Sequence, residues 1–161
     1  MHKKFHSKRR LFAVFIAAVA LCSCATPGAV RTKEMAYPLR VLQAVADKSL
    51  PVGRRHVSRN AREFYSEYFI PKGPPKFWQK PQKNTKVRYY SVIKVLGDRR
   101  PYIVEVSVVV EKLQRSEPNS RLKYEKVETH SGLAQEVLKY FRENLSKSLK
   151  DRNVIDDFRV F

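Results

Sequence analysis

The fold of this chain is decided by residues 86–113, KVRYYSVIKVLGDRRPYIVEVSVVVEKL. Residues 86–96 and 101–113 are rich in valine, isoleucine and tyrosine, which favour β-strands, and a short glycine-containing turn separates them. This arrangement predicts a β-hairpin. In the second strand the even positions from Tyr102 to Val110 are all apolar, whereas the odd positions include Glu105 and Glu111. We therefore predict that the even face is buried and that the two glutamates lie on a solvated, mixed face.

Segments on both sides of the hairpin extend it into an α+β domain. A turn after Arg115 leads to residues 121–128, whose alternation predicts a third, partly exposed strand. Apolar residues at helical spacing predict a helix over residues 38–49 and a longer one that Ser131 caps and that runs to about Lys150. The predicted fold is a small antiparallel sheet of three to four strands, packed by an N-terminal and a long C-terminal helix. Apolar residues in the tail, 151–161, favour a short edge strand.

Residues 63–70 (EFYSEYFI) fit two structures. As a strand, they place Phe64, Tyr68 and Ile70 on one face. As a helix, they pair Phe64 with Tyr68 at a spacing of four residues. Aromatic enrichment and the proline that follows favour the strand slightly, and both alternatives stay open.

Residues 71–85 (PKGPPKFWQKPQKNT) contain four prolines and one glycine and therefore predict a long loop. The loop carries the single tryptophan of the chain, Trp78, beside Phe77 and between Lys76 and Lys80. If exposed, these rings would stack on a ligand or lie at a membrane interface, with the lysines on phosphate groups. In the alternative, Phe77 and Trp78 fold back and hold the loop against the core.

The N-terminus has the composition of a targeting segment. Residues 1–10 are basic and lack acidic residues, and residues 11–21 are continuously apolar. A transmembrane helix needs about 20 apolar residues, so this apolar segment is too short to span a bilayer. A basic region, a short apolar region and a small residue before a cleavage point are typical of a secretory signal peptide.

The end of this segment, Leu21-Cys22-Ser23-Cys24, resembles the lipobox of bacterial lipoproteins. The resemblance implies cleavage between Ser23 and Cys24, a diacylglyceryl thioether on Cys24 and acylation of the new amine. Ala25 stands where an aspartate would favour retention at an inner membrane, so in a Gram-negative cell an outer-membrane anchor facing the periplasm is expected. The alternative is an ordinary secreted protein cut near Ala25.

With residues 1–23 as the signal peptide, the chain divides into a flexible tether at residues 24–37 and one α+β domain at residues 38–161. Residues 1–23 carry five of the 33 lysines and arginines and none of the 15 acidic residues, so the remaining chain keeps a net charge of about +13. Cys22 would leave with the signal peptide and Cys24 would be acylated, so no disulfide is expected. A domain this basic is expected to meet an anionic partner.

Motifs for catalysis are missing from the sequence. After Cys24 the two histidines, His56 and His130, are far apart, and there is no Gly-x-Ser-x-Gly or glycine-rich phosphate loop. We therefore expect no enzyme activity, no metal site and no cofactor. Single-stranded nucleic acid would suit the charge and the aromatic residues, but the expected location and the lack of an RNP-like pattern make it a poor candidate.

The sequence thus predicts a membrane-anchored envelope lipoprotein that acts as a non-catalytic binding or assembly module. Its partner would be anionic: lipopolysaccharide, phospholipid, wall polymer or an acidic protein. The alternative is a structural subunit of a larger envelope or secretion complex that binds protein through exposed aromatic residues. In outline, the order of elements is similar to that of small envelope-assembly lipoproteins. The predicted binding residues are Arg54, Arg55, Arg59, Lys76, Trp78, Lys80, Arg99 and Arg100.

Overall fold

The computed structural model describes residues 26–73, 78–114 and 123–157, which form two helices and eight strands. The helices are α1 (Leu39–Lys48) and α2 (Ser131–Asp157). The strands are β1 (Val30–Arg31), β2 (Arg54–Val57), β3 (Glu63–Ser66), β4 (Ile70–Pro71), β5 (Trp78–Gln79), β6 (Val87–Leu96), β7 (Ile103–Gln114) and β8 (Lys123–Thr129). No helix within these ranges is both long and apolar enough to cross a membrane.

The hairpin of β6 and β7 forms the centre of a six-stranded antiparallel sheet. Its register runs from Val87 opposite Lys112 to Leu96 opposite Ile103. On the free edge of β6, β3 and then β2 continue the sheet. On the free edge of β7, β8 pairs along one half and β1 along the other. The α+β class, the hairpin and the third strand are confirmed, and the sheet has more strands than predicted.

Three local predictions can be compared with the structure. Residues 63–66 form a strand, as favoured over the helix, but Phe64 and Tyr68 do not share a face: Phe64 lies in the core, whereas Tyr68 contacts Arg88 on the other side of the sheet. The predicted loop 71–85 contains part of a second, two-stranded sheet of β4 and β5. The predicted edge strand in the tail is wrong through Asp157, because α2 continues to that residue; residues 158–161 lie outside the described chain. Short strands such as β4 and β5 carry no periodicity, so they form only where a partner strand is supplied.

The predicted tether is also wrong from Thr26 onward. Residues 26–29 form a turn in which the Ala29 amide donates to the Thr26 carbonyl at 3.0 Å and Gly28 has φ +72°. The Thr129 hydroxyl at the end of β8 donates to the Pro27 carbonyl. A Cβ atom at Gly28 would collide with that hydroxyl, so only glycine permits this approach. β1 follows this turn and pairs with β7, so the chain joins the sheet before α1 begins.

Both helices pack on the same face of the six-stranded sheet. The even positions Val104, Val106 and Val108 of β7 are fully buried, which confirms the predicted buried face. The remaining core side chains come from α1 (Val41, Leu42, Val45, Ala46), α2 (Leu133, Ala134, Val137, Leu138, Phe141, Leu145), the neighbouring strands (Phe64, Ile93, Val95) and the connections between elements (Leu50, Phe69, Tyr102). One face is thus a packed core, and we call the opposite side of the sheet the helix-free face.

Candidate functional site

Two loops lie side by side at one end of the sheet and bring arginines together. Residues 58–62 connect β2 to β3, and residues 97–101 connect β6 to β7. The Val95 amide donates to the Arg62 carbonyl at 2.8 Å, and the Arg62 guanidinium donates to the Gly97 carbonyl. We call this the cationic end and define it by Arg59, Arg62, Arg99 and Arg100. Asp98 is the single acidic residue in the two loops.

Side-chain hydrogen bonds hold the first of these loops in place. The Ser58 hydroxyl accepts from the Arg62 amide at 3.2 Å and the Glu63 amide at 2.9 Å, and donates to Asn60 Oδ1 at 2.7 Å. The Gln43 side chain on α1 donates to the Ala61 carbonyl at 3.0 Å. The exposed Arg59 side chain therefore projects from a loop that is already ordered. This reduces the conformational entropy that the loop would lose on binding an anion.

The other predicted binding residues do not join this group. Arg54 pairs with Asp47 at 3.1 Å beside α1, and Arg55 lies on the helix-free face. Lys80 is exposed in the loop after β5. Lys76 and the predicted lipidation residue, Cys24, lie outside the described residues. The structure thus places Arg59, Arg99 and Arg100 on two neighbouring loops and adds Arg62, which is not among the residues predicted from the sequence.

Trp78 does not stand out as an exposed aromatic contact. Its ring is half-buried and meets the ring of the fully buried Phe69 edge-on, with centroids 5.1 Å apart. The position of Trp78 therefore agrees with the alternative in which it folds back and holds the loop against the core. Phe77 lies outside the described residues. Phe69 in turn stacks on Tyr89, with centroids 5.9 Å apart. Trp78 thus contributes to packing of the β4–β5 sheet on the domain.

A stack of tyrosines and arginines covers part of the helix-free face. The Arg88 guanidinium lies between two rings, 3.6 Å from the centroid of Tyr68 and 3.5 Å from that of Tyr124. The Arg55 guanidinium lies 4.3 Å from Tyr68 and 4.8 Å from Tyr90. We call these five residues the tyrosine–arginine stack. Guanidinium groups are attracted to aromatic faces by the ring quadrupole, so each contact also positions the arginine.

The charges on the helix-free face are mostly paired. Arg88 binds Glu111 through two nitrogens at 2.8 and 2.7 Å, and Arg31 binds Glu105 through two nitrogens at 2.7 Å. The expectation that both glutamates are solvated is wrong: Glu105 is 3% exposed, and the Glu111 side chain is 14% exposed. Strand alternation shows that Glu105 and Glu111 share a face of the sheet. It does not show that arginines on the neighbouring strands β1 and β6 will cover them.

Tyr65 on the same face has a strongly perturbed hydroxyl. The hydroxyl donates to Glu63 Oε2 at 2.7 Å, and this bond, together with burial and the glutamate charge, raises the pKa of Tyr65 from 10.0 to about 12. Burial likewise raises the pKa of Tyr90, with a contribution from Glu111. A tyrosine whose proton is held this way is a poor acid and base at neutral pH.

Tyr65 gives a direct test of this geometry at high pH. Because the folded pKa exceeds the unfolded one, the contribution of Tyr65 to stability is complete below pH 10.0 and is lost as the pH rises towards about 12. We expect the tyrosinate absorbance of the folded chain to retain a late transition that Tyr65→Phe removes. Glu63→Gln should move that transition to lower pH. A Tyr65 that titrates together with exposed tyrosines would contradict the assignment.

The two histidines lie apart and have structural roles. His130 Nδ1 accepts a hydrogen bond from the Leu133 amide at 3.2 Å, so this residue, and not Ser131, caps α2. The ring of His56 lies 5.5 Å from that of Tyr65. Within the described ranges, no group of three or more His, Cys, Asp or Glu side chains is placed to hold a metal ion.

Comparison with known proteins finds no matching family model, no similar curated protein and no similar solved structure. The function must therefore be argued from the residues and surfaces of this chain.

Proposed function

We propose that this chain is a lipid-anchored envelope protein that binds an anionic envelope partner and catalyses no reaction. The anchor would be the lipid on Cys24, and the partner would be lipopolysaccharide, phospholipid, wall polymer or an acidic protein. The observation that carries the binding part is the cationic end. There, two adjacent ordered loops carry four arginines against one aspartate.

Arginine suits such a partner because its planar guanidinium forms paired hydrogen bonds with phosphate and carboxylate groups. Arg59, Arg99 and Arg100 are exposed, and no ion pair involving them occurs among the described residues. Their donors are thus accessible to a polyanion. The contacts of Arg62 with Val95 and Gly97 hold the two loops side by side, so all four arginines add positive charge to this end of the sheet.

The anchor and the binding surface are tested separately. At about 0.5 M salt, where binding through exposed charges is largely screened, we expect Cys24→Ser to move the protein from the membrane fraction to the soluble fraction, because the thiol that carries the lipid is lost. If the Cys24→Ser protein still sedimented with membranes in high salt, the anchor would be wrong.

For the binding surface, the soluble Cys24→Ser protein is mixed with phosphatidylglycerol vesicles, lipopolysaccharide or wall polymer. Arg99→Glu/Arg100→Glu should reduce binding at least about tenfold, because each charge reversal replaces an attraction with a repulsion. The matched control is Lys139→Glu/Lys150→Glu, which makes the same charge change at exposed positions of α2 and should bind nearly as the parent does. Binding that persists at about 0.5 M salt would overturn the electrostatic mechanism, since exposed charges are largely screened there.

A further inference from the structure

The chain becomes part of the fold almost immediately after the lipidation residue. Thr26 begins the turn that the Thr129 hydroxyl holds through the Pro27 carbonyl. Only Ala25 separates Thr26 from Cys24. Two residues span at most about 7 Å. An anchor at Cys24 would therefore keep the domain within a few ångströms of the bilayer surface, whereas a tether of a dozen residues would let it rotate freely.

The first residues that the structure describes, Thr26 and Pro27, lie on the helix-free side of the sheet. The Thr26 hydroxyl is 3.4 Å from Glu105 Oε1, and the Glu105 side chain belongs to the odd positions of β7, which point away from the helices. Thr129 pairs with Val109, another odd position, and its hydroxyl reaches Pro27. Two independent contacts thus place residues 26 and 27 on the helix-free face at the outer edge of β7.

The side chains of this face suit the headgroup region of a bilayer. The tyrosine–arginine stack presents half-buried rings together with guanidinium groups, and tyrosine and arginine are residues that combine an apolar body with a polar end. Three acidic groups on the face are already paired, by Arg31, Lys94 and Arg88. Arg55 and Lys126 carry further positive charge and have no ion pair among the described residues. The helix-free face therefore has little unpaired negative charge that an anionic membrane would repel.

We infer that the helix-free face rests on the phospholipid headgroups of the membrane that holds the anchor, with α1 and α2 directed away from it. The short connection to Cys24 sets the orientation, and Arg55 contacts headgroup phosphate. This seating rests on the proposed lipidation of Cys24. It leaves the cationic end at the side of the domain, beside the membrane, where it remains free for its partner.

The test places a fluorescent probe on each side of the domain. In the lipidated protein Cys24 is a thioether and Cys22 has been removed, so an introduced cysteine is the single reactive thiol. Lys126→Cys lies three residues from Thr129, about 10 Å along β8, on the helix-free face. Lys139→Cys is exposed on α2. Each is labelled with an environment-sensitive dye and reconstituted in vesicles of phosphatidylethanolamine and phosphatidylglycerol that contain brominated lipid.

We expect brominated lipid to quench the dye at position 126 strongly and the dye at position 139 weakly. Equal quenching at both positions, or stronger quenching at 139, would overturn the seating. Absence of quenching at 126 would do so as well, and is the result expected if a protein or a second copy of this chain covers the face. Mass analysis of the same protein separates the two proposals: a diacylglyceryl group on Cys24 without quenching at 126 refutes the seating alone, whereas a missing lipid refutes the anchor.

A charge reversal tests the headgroup contact. Arg55→Glu in the position-126 reporter should reduce quenching, because a carboxylate at this site is repelled by phosphate. Arg40→Glu makes the same change on the exposed side of α1 and should leave quenching unaltered. If both variants quench like the parent, Arg55 does not contact the headgroups.

Discussion

Replacing Arg31 with alanine is expected to lower the free energy of unfolding by about 3 kcal/mol, because it leaves a buried carboxylate without its cation. Glu105 is 3% exposed, and both of its Arg31 contacts are 2.7 Å long. The Thr26 hydroxyl also donates to Glu105 Oε1, at 3.4 Å, but this hydrogen bond is too long to compensate. The measurement is denaturant unfolding monitored by circular dichroism, which reports the midpoint and slope.

Two variants show whether the uncompensated charge is the cause. Glu105→Gln added to Arg31→Ala should recover a large part of the loss, since a neutral amide is less costly to bury than a carboxylate. Arg54→Ala removes an arginine from the exposed pair with Asp47, and should cost less than about 1 kcal/mol. If Arg31→Ala and Arg54→Ala destabilise equally, the Glu105 ion pair has no special role.

Phe141→Ala is expected to be the most destabilising single substitution in α2, at about 3–5 kcal/mol. Phe141 is 0% exposed and lies in the core cluster where α1, α2 and the sheet meet. Truncation removes apolar contact area and leaves a cavity that these three elements cannot collapse to fill. Denaturant unfolding would show a lower midpoint without a large change in slope.

The adjacent residue supplies the control. Tyr140 is 41% exposed, on the solvent-facing side of the same helical turn. Tyr140→Ala should change the free energy of unfolding by no more than about 0.5 kcal/mol, as is usual for surface positions. Comparable losses at positions 140 and 141 would mean that helix propensity, and not core packing, determines the effect.

The two helices and the central hairpin could be predicted because each carries its signal within a short segment. The alternation of valines from Val104 to Val110 identifies a buried face, and the apolar spacing from Leu133 to Leu145 identifies a helix. β1 and the β4–β5 pair each have strands of two residues, which is too short for any period. Their conformation depends on hydrogen bonds to a partner strand, so the tether prediction failed at the residues where β1 pairs with β7.

The candidate site was predictable only in part, because some of its residues are far apart in the sequence and meet only in the assembled sheet. Arg59, Arg99 and Arg100 are among the residues of the predicted basic surface, and the structure shows that their loops are neighbours. Tyr68, Arg88 and Tyr124 are far apart in the sequence and nothing in their local context distinguishes them. They meet because β6 pairs with β7 and β7 with β8, and because a bridge between Phe69 and Tyr89 places the Tyr68 segment beside β6. Register is a property of the whole sheet.

The sequence by itself determined the α+β class, the buried face of β7 and the lipobox-like segment, because each depends on residues that are neighbours in the chain. Tertiary structure alone decided three other features: the burial of Glu105 beneath Arg31, the tyrosine–arginine stack and the position of Thr26 on the helix-free face. Each joins residues that are distant in the sequence, and Thr26 and Glu105 are 79 positions apart. Such contacts form only when the sheet assembles, and no local pattern records them.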